Sequence, residues 1–276
     1  MKRIFKIIVI ILISVFSFYY TEKIIDLSKR NDPIMKKIIN NSSSKEIEPV
    51  NGIIEDSSLI VGSSGKKVDR ETSYEKMKKV KQYNESLFEY INIKPNISKK
   101  DNLDKVIIGA NRDSKKLAFV FKTDDYSLIK QIVYILDQND VKATFFIDGK
   151  VIEDNLLDVK KVLGKNTLGI YSYNNIFNSI STKYMKNILS KSFNYSNYCL
   201  YKNDKFLNAC KYYKINTIKP ETIQKSPYNY LKNNKKNGLI YEIKVNPNNI
   251  KQLNSSLLYL KEKGYSIVTI DELLKE

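Results

Sequence analysis

The chemically dense stretch of this chain is Lys122-Thr123-Asp124-Asp125, directly after the apolar run Leu117-Ala118-Phe119-Val120-Phe121. Adjacent carboxylates at a strand end can hold a hard divalent cation or take a proton from a bound water. With Asp148 they would make an oxygen-ligand set suited to Mg2+, Ca2+ or Mn2+ rather than zinc. The same residues admit a plainer reading, in which Thr123, Asp124 or Asp125 caps a helix beginning near Leu128. The chain has no histidine and two cysteines, Cys199 and Cys210, which excludes the usual nitrogen and sulfur zinc cages. Those cysteines could pair in an oxidising compartment or stay as two buried thiols.

The elements that must position these residues alternate from residue 104 onward. Strands are expected at 117–121, 142–147, 167–171, 215–218, 239–245 and 266–270. Helices are expected at 128–138, 152–163, 184–193, 204–213 and 250–263, with a terminal turn over 271–275. This rhythm predicts an α/β fold of parallel strands with outer helices, as a barrel or an open sheet. Upstream, residues 50–103 form a small accessory segment. It has a short strand at 58–61, a turn at Gly62-Ser63-Ser64-Gly65, and a helix over 69–90 from Tyr74, Met77, Val80, Tyr83 and Leu87, capped by Asp69 or Thr72. Residues 22–49 read as a helical stalk broken near Asp32-Pro33, then a polar linker.

Lys2, Arg3 and Lys6 flank an apolar run through Tyr20, so residues 1–21 are expected to be a single-pass membrane anchor with the body outside the cytoplasm. The bulky Ser14-Val15-Phe16-Ser17-Phe18-Tyr19-Tyr20 argues against a signal-peptidase site. Lysine and arginine number 47 against 30 acidic residues, a net charge of +17. The excess is diffuse and no stretch reads as a basic recognition region, so nucleic acid is not an expected partner. Anionic wall polymer or lipid headgroups are.

Three stretches carry a family resemblance. Lys116 to Phe121, followed after a helix by Asn139-Asp140-Val141-Lys142-Ala143-Thr144-Phe145-Phe146-Ile147-Asp148-Gly149, resembles the polysaccharide deacetylase family, the NodB homology domain. The closing Tyr259-Leu260-Lys261-Glu262-Lys263-Gly264-Tyr265-Ser266-Ile267-Val268-Thr269-Ile270-Asp271-Glu272-Leu273-Leu274 is similar to that family's last helix, strand and Glu-Leu-Leu turn. The resemblance spans residues 104–276 and implies a distorted (β/α) barrel. It also implies a metal held by one Asp and two His at strand ends, a second Asp as base, and a late His as acid, which together hydrolyse an N-acetyl amide.

At the matching positions this chain departs from the pattern. Lys122 stands at the base, Thr123 at the Asp ligand, Tyr171 and Asn175 at the two His ligands, and Lys244 near the acid. Tyr198 to Lys202 lacks the family's Arg and Pro residues, with Tyr201 left to line the site. The resemblance therefore implies a degenerate member with no catalytic residue and no zinc, whose pocket is lined by Thr123, Asp124, Asp125, Tyr171, Asn175 and Tyr201. The expected function is binding of a cell-envelope glycan or surface polymer, with Lys122 and Lys244 favouring anionic groups. The alternatives are an active N-acetyl deacetylase using the oxygen-ligand site, and a scaffold that docks through residues 50–103.

Overall fold

The computed structural model describes residues 2–111, 113 and 115–276, apart from the side chains of residues 2–5, 7 and 8. Met1, where the expected anchor begins, lies outside the described residues. In chain order the first elements are helices α1 (Lys2–Asn31) and α2 (Pro33–Ser42), strands β1 (Ile53–Glu55), β2 (Ser58–Val61) and β3 (Gly65–Asp69), helix α3 (Arg70–Lys79), and strand β4 (Glu89–Ile93). Then come β5 (Val106–Ala110), β6 (Lys116–Lys122), α4 (Tyr126–Gln138), β7 (Thr144–Phe146), α5 (Gly149–Asp154), α6 (Leu156–Leu163) and β8 (Thr167–Ile170). The remainder is α7 (Ser179–Ser192), β9 (Tyr195–Leu200), α8 (Asp204–Tyr212), β10 (Asn216–Ile218), β11 (Glu221–Ile223), α9 (Pro227–Asn234), β12 (Ile240–Ile243), α10 (Pro247–Glu262), β13 (Ser266–Val268) and α11 (Ile270–Leu273).

These elements fall into two units. One comprises Met1–Glu48 and Gly65–Ile93, the other Pro49–Ser64 and Lys94–Glu276. The expected partition at residues 50 and 104 differs from this division. The stretch read as one accessory segment is split, because β2 pairs in parallel with β5 of the larger sheet while β3 pairs with β4 in a separate hairpin. The helix expected over 69–90 also stops early. Asp69 caps α3, accepting the Thr72 N–H at 3.1 Å, and the helix ends at Lys79 before Lys81 takes a positive φ. Of its apolar residues, Tyr74, Met77, Tyr83 and Leu87 join one small core with Met35, Ile38, Val68 and Phe88, reached from a hairpin as well as from a helix, while Val80 is exposed.

In the same unit, α1 ends at Asn31 and α2 starts at Pro33. Asp32 is the cap, accepting the Ile34 N–H at 2.8 Å. This is the break that Asp32-Pro33 predicts. Ile10 to Ile13, Val15, Phe16 and Phe18 to Tyr20 are all exposed on α1. Among the described residues no helix is long and apolar enough to cross a membrane, so the expected spanning anchor is not supported. The helix runs past the apolar stretch into Glu22, Lys23 and Asp26.

The larger unit is an α/β structure around an 11-stranded sheet, among the described residues. Its order is β1-β2-β5-β10-β9-β8-β7-β6-β12-β11, with β13 also on β6. All pairings in it are parallel except β1 with β2. The sheet curls as a half-barrel. β6 and β7 are adjacent and parallel, as a single crossover helix between them requires.

Strand parity separates two cores. Leu117, Phe119 and Phe121 face outward onto Ile129, Ile132, Val133 and Leu136 of α4. Ala118 and Val120 face inward with Ile107, Phe146, Leu200, Ile218 and Ile240, closed below by Ile270 and Leu274. Gly238, at φ +74°, lets the chain cross tightly beneath β5, since a Cβ there would stand 2.3 Å from the Ala110 carbonyl oxygen.

The helix expected over 152–163 is two helices meeting at Asn155. α7 starts five residues before the expected 184, because Asn178 and Ser181 form a reciprocal cap. Strands β5 and β11 and helix α9 have no counterpart in the sequence reading. Cys199 and Cys210 form a disulfide that ties the end of β9 to α8.

Candidate functional site

The carboxyl-terminal ends of the parallel strands carry the sequence-predicted residues. Lys122 is the last residue of β6, exposed, with Nζ 5.4 Å from the centroid of the Tyr171 ring just past β8. On the neighbouring strand the register Ile240↔Ala118 and Glu242↔Val120 ends before either lysine, with Lys244 one residue past the end of β12. Lys122 shares the parity of Ala118 and Val120, so it belongs to the inner face of the curled sheet.

The carboxylates are occupied by backbone. Asp125 caps α4, accepting the N–H groups of Ser127 at 2.9 Å and Leu128 at 3.3 Å. The Ser127 hydroxyl, first among these donors, holds its carboxyl below the usual carboxylate range. Thr123 Oγ1 accepts the Asp125 N–H at 3.2 Å. Asp124 accepts the Asp148 N–H at 2.7 Å. The capping reading of this stretch is the one the geometry takes.

Asp148 is the organiser that sequence reasoning placed only as an auxiliary ligand. It is 4% exposed and caps α5 through the Lys150 N–H at 2.9 Å. It also accepts the Ser172 hydroxyl at 2.5 Å and the N–H groups of Asn174 and Asn175 at 2.9 Å each. Burial pushes its carboxyl up. The donors from Ser172, Asn175, Lys150 and Asn174 outweigh that, and the group titrates below its ordinary value. Asn174 and Asn175 both have positive φ, 52° and 57°, and their successive N–H groups wrap the carboxylate. Asn175 is therefore placed by its backbone, with its side chain in an exposed loop.

Tyr201, past β9, donates its hydroxyl to Asp204 at 2.9 Å, which raises its pKa, and Lys219 Nζ lies 5.3 Å from its ring. It serves the neighbouring strand end, while Tyr171 meets Lys122 and, edge-on at 5.1 Å, Phe177. Phe177 and Lys202 complete the site and were not read from the sequence. Asp148 had a local signal, an Asp immediately before a helix-starting Gly149; the other two had none.

The residues present do not fit the metal that the resemblance implies. Thr123, Tyr171 and Asn175 offer none of the usual imidazole, thiolate or carboxylate ligands, and the Lys122 ammonium would repel a cation. Asp124, Asp125 and Asp148 do not fit the oxygen-ligand alternative either, since each carboxylate already accepts backbone N–H groups. Among the described residues no three His, Cys, Asp or Glu side chains gather as a metal site.

Comparison with known proteins agrees with this architecture. No protein-family profile matches the chain. It is 28% identical over 155 residues to the uncharacterized protein YlxY of Bacillus subtilis (strain 168), covering 54% of this chain and 48% of that one. The chain thus spans about half the length of the curated relative it matches. Among solved structures, a wild-type CE4 family pseudoenzyme from Bacillus anthracis superposes with a TM-score of 0.64 at 22% identity, over 89% of this chain and 96% of that one. PdaA of Bacillus subtilis, a family 4 carbohydrate esterase, gives 0.52 at 18% identity, over 64% and 87%. The structural neighbours are CE4 polysaccharide deacetylases, a pseudoenzyme among them, and this chain has their fold. The degenerate NodB-type reading of its sequence is consistent with that company.

Proposed function

We propose that this protein is a catalytically silent member of the deacetylase fold that binds a cell-envelope glycan or surface polymer at its strand ends. The observation that carries the reading is Lys122 lying over Tyr171. A cation and a phenol stand where the resemblance puts a general base and a metal-binding imidazole. An ammonium neither accepts a proton from water nor tolerates a neighbouring metal ion, so the two substitutions oppose the ancestral chemistry together. The inherited concave strand-end face remains a natural place for a ligand. That a neighbour in fold space is itself a pseudoenzyme supports the reading, because the fold tolerates loss of its chemistry.

In this proposal the protein body lies outside the cytoplasm, held at the membrane through the exposed apolar side chains between Ile10 and Tyr20 of the first helix. The Cys199–Cys210 disulfide suits an oxidising compartment. The test uses the purified full chain in detergent. Metal content and acetate release from chitin oligomers are measured with and without chelator, beside co-sedimentation with insoluble peptidoglycan. Co-sedimentation without acetate release is the expected result. Stoichiometric zinc with chelator-sensitive acetate release would overturn the proposal.

A further inference from the structure

We infer that the strand-end rim holds its ligand by two fixed cations, and that the ligand is a glycan chain carrying repeated carboxylate or phosphate groups. The inference rests on the polymer-binding reading above and names the chemistry of the polymer. Its basis is a continuous row of four side chains. Lys122 Nζ sits 5.4 Å from the Tyr171 ring, Tyr171 meets Phe177 edge-on at 5.1 Å, and Lys202 Nζ sits 5.8 Å from the Phe177 ring. Phe177 is itself packed edge-on at 5.3 Å against Phe206, which is fully buried. The row is thus rooted in the core through its middle and ends in a cation on each side.

Neither end is neutralised. Among the described residues, Lys122, Lys202 and Lys244 form no ion pair. Elsewhere on this unit Lys150 and Lys165 are paired with acids. An aromatic ring steadies an ammonium by about 0.5–1 kcal/mol at an exposed site. It leaves the N–H donors free for an incoming oxygen. Holding a flexible stem in place beforehand lowers the ordering cost of binding. A neutral sugar gains little from such a group, whereas a carboxylate or phosphate gains a direct Coulombic contact.

The two cations also set a minimum length. Lys122 leaves β6 and Lys202 follows β9, with β7 and β8 between them. That is roughly 14 Å of sheet at the usual strand spacing. A ligand that engages both must carry its charges along a chain.

The experiment is calorimetric titration of the full chain with three tetramers: tetragalacturonate for carboxylate, a glycerol-phosphate tetramer for phosphate, and chitotetraose as the neutral arm. One or both anionic tetramers should bind roughly tenfold tighter than chitotetraose, with the advantage shrinking as salt rises. The stronger anionic arm identifies the source of the charge. The Lys122→Ala/Lys202→Ala variant should lose the advantage. Lys161→Ala/Lys251→Ala, which removes the same charge from exposed helix positions, should keep it. Tyr171→Leu/Phe177→Leu retains both cations and should weaken anionic binding about threefold; if it fails to fold, the two lysine pairs decide alone. Equal losses in the two lysine variants would reduce the effect to bulk charge and sink the inference. Chitotetraose binding as tightly as the anionic tetramers would sink it while leaving the polymer-binding reading standing. No binding in any arm would remove both.

Discussion

The body of β6 and β7 and the ends of the same strands have opposite characters. In the body, Leu117 to Phe121 and Phe145 to Ile147 are buried on both faces, and the Phe121 and Phe145 rings pack 5.4 Å apart. At the ends, Lys122, one residue further along, is exposed, Asp124 accepts the Asp148 N–H and Asp125 caps α4. The scaffold is specified by dozens of apolar positions that tolerate drift one at a time. The chemistry of the related enzymes depends on a few side chains, each irreplaceable. The second set can change while the first persists, and the function proposed for this chain rests on that independence.

Substitutions can test that contrast. The largest effect belongs to the body: Phe145→Ala should cost about 3–5 kcal/mol, read by urea unfolding. A loss below 1 kcal/mol would mean the two regions do not differ in the way described. Next is Asp148, which belongs to the site by position but to the scaffold by its bonds. Asp148→Ala strands the buried Ser172 hydroxyl and leaves three backbone N–H groups without their acceptor, and should cost about 3 kcal/mol. Because its folded carboxyl titrates lower than the unfolded one, its contribution is complete above the unfolded carboxylate range, near pH 4. That contribution is lost as pH falls through the folded value. Asp148→Asn should therefore show a flatter acid limb than wild type in stability measured from pH 5 to pH 2.

Smaller again, the disulfide closes a short loop, with 11 residues of sequence separation. The Cys199→Ser/Cys210→Ser pair should cost about 2–3 kcal/mol. Lys122→Ala should shift stability by less than about 1 kcal/mol in the same assay. A Lys122 effect as large as that of Phe145 would erase the distinction between rim and body.

What the sequence disclosed follows from the range of the interactions involved. The strand at 117–121, the period of α4, the Asp32-Pro33 break and the parallel β6–β7 pairing are local consequences of pattern, and each matches the structure closely. The helix over 69–90 misleads because Tyr83, Leu87 and Phe88 reach the same small core as Tyr74 and Met77 from a different backbone path. Strand β11 and helix α9 are short and polar in sequence, held by neighbours more than by their own pattern. At the site, substitution of the family positions was plain from residue types alone. The bonds of Asp148 were not, since Ser172, Asn174 and Asn175 lie 24 to 27 residues away. Nor was the row from Lys122 to Lys202, which draws one side chain from β6, two from beyond β8 and one from beyond β9.

The pairing of β2 with β5 bears on where this fold can be cut. A shortened chain starting at residue 104, where the family resemblance begins, would keep every strand-end residue discussed above. It would lose residues 58–61, however, and leave one side of Val106–Ala110 with its backbone N–H and C=O groups open. A bare apolar edge of that kind recruits another edge. Such a fragment should self-associate and precipitate on concentration, so the minimal soluble form of this protein must carry the chain from about residue 50.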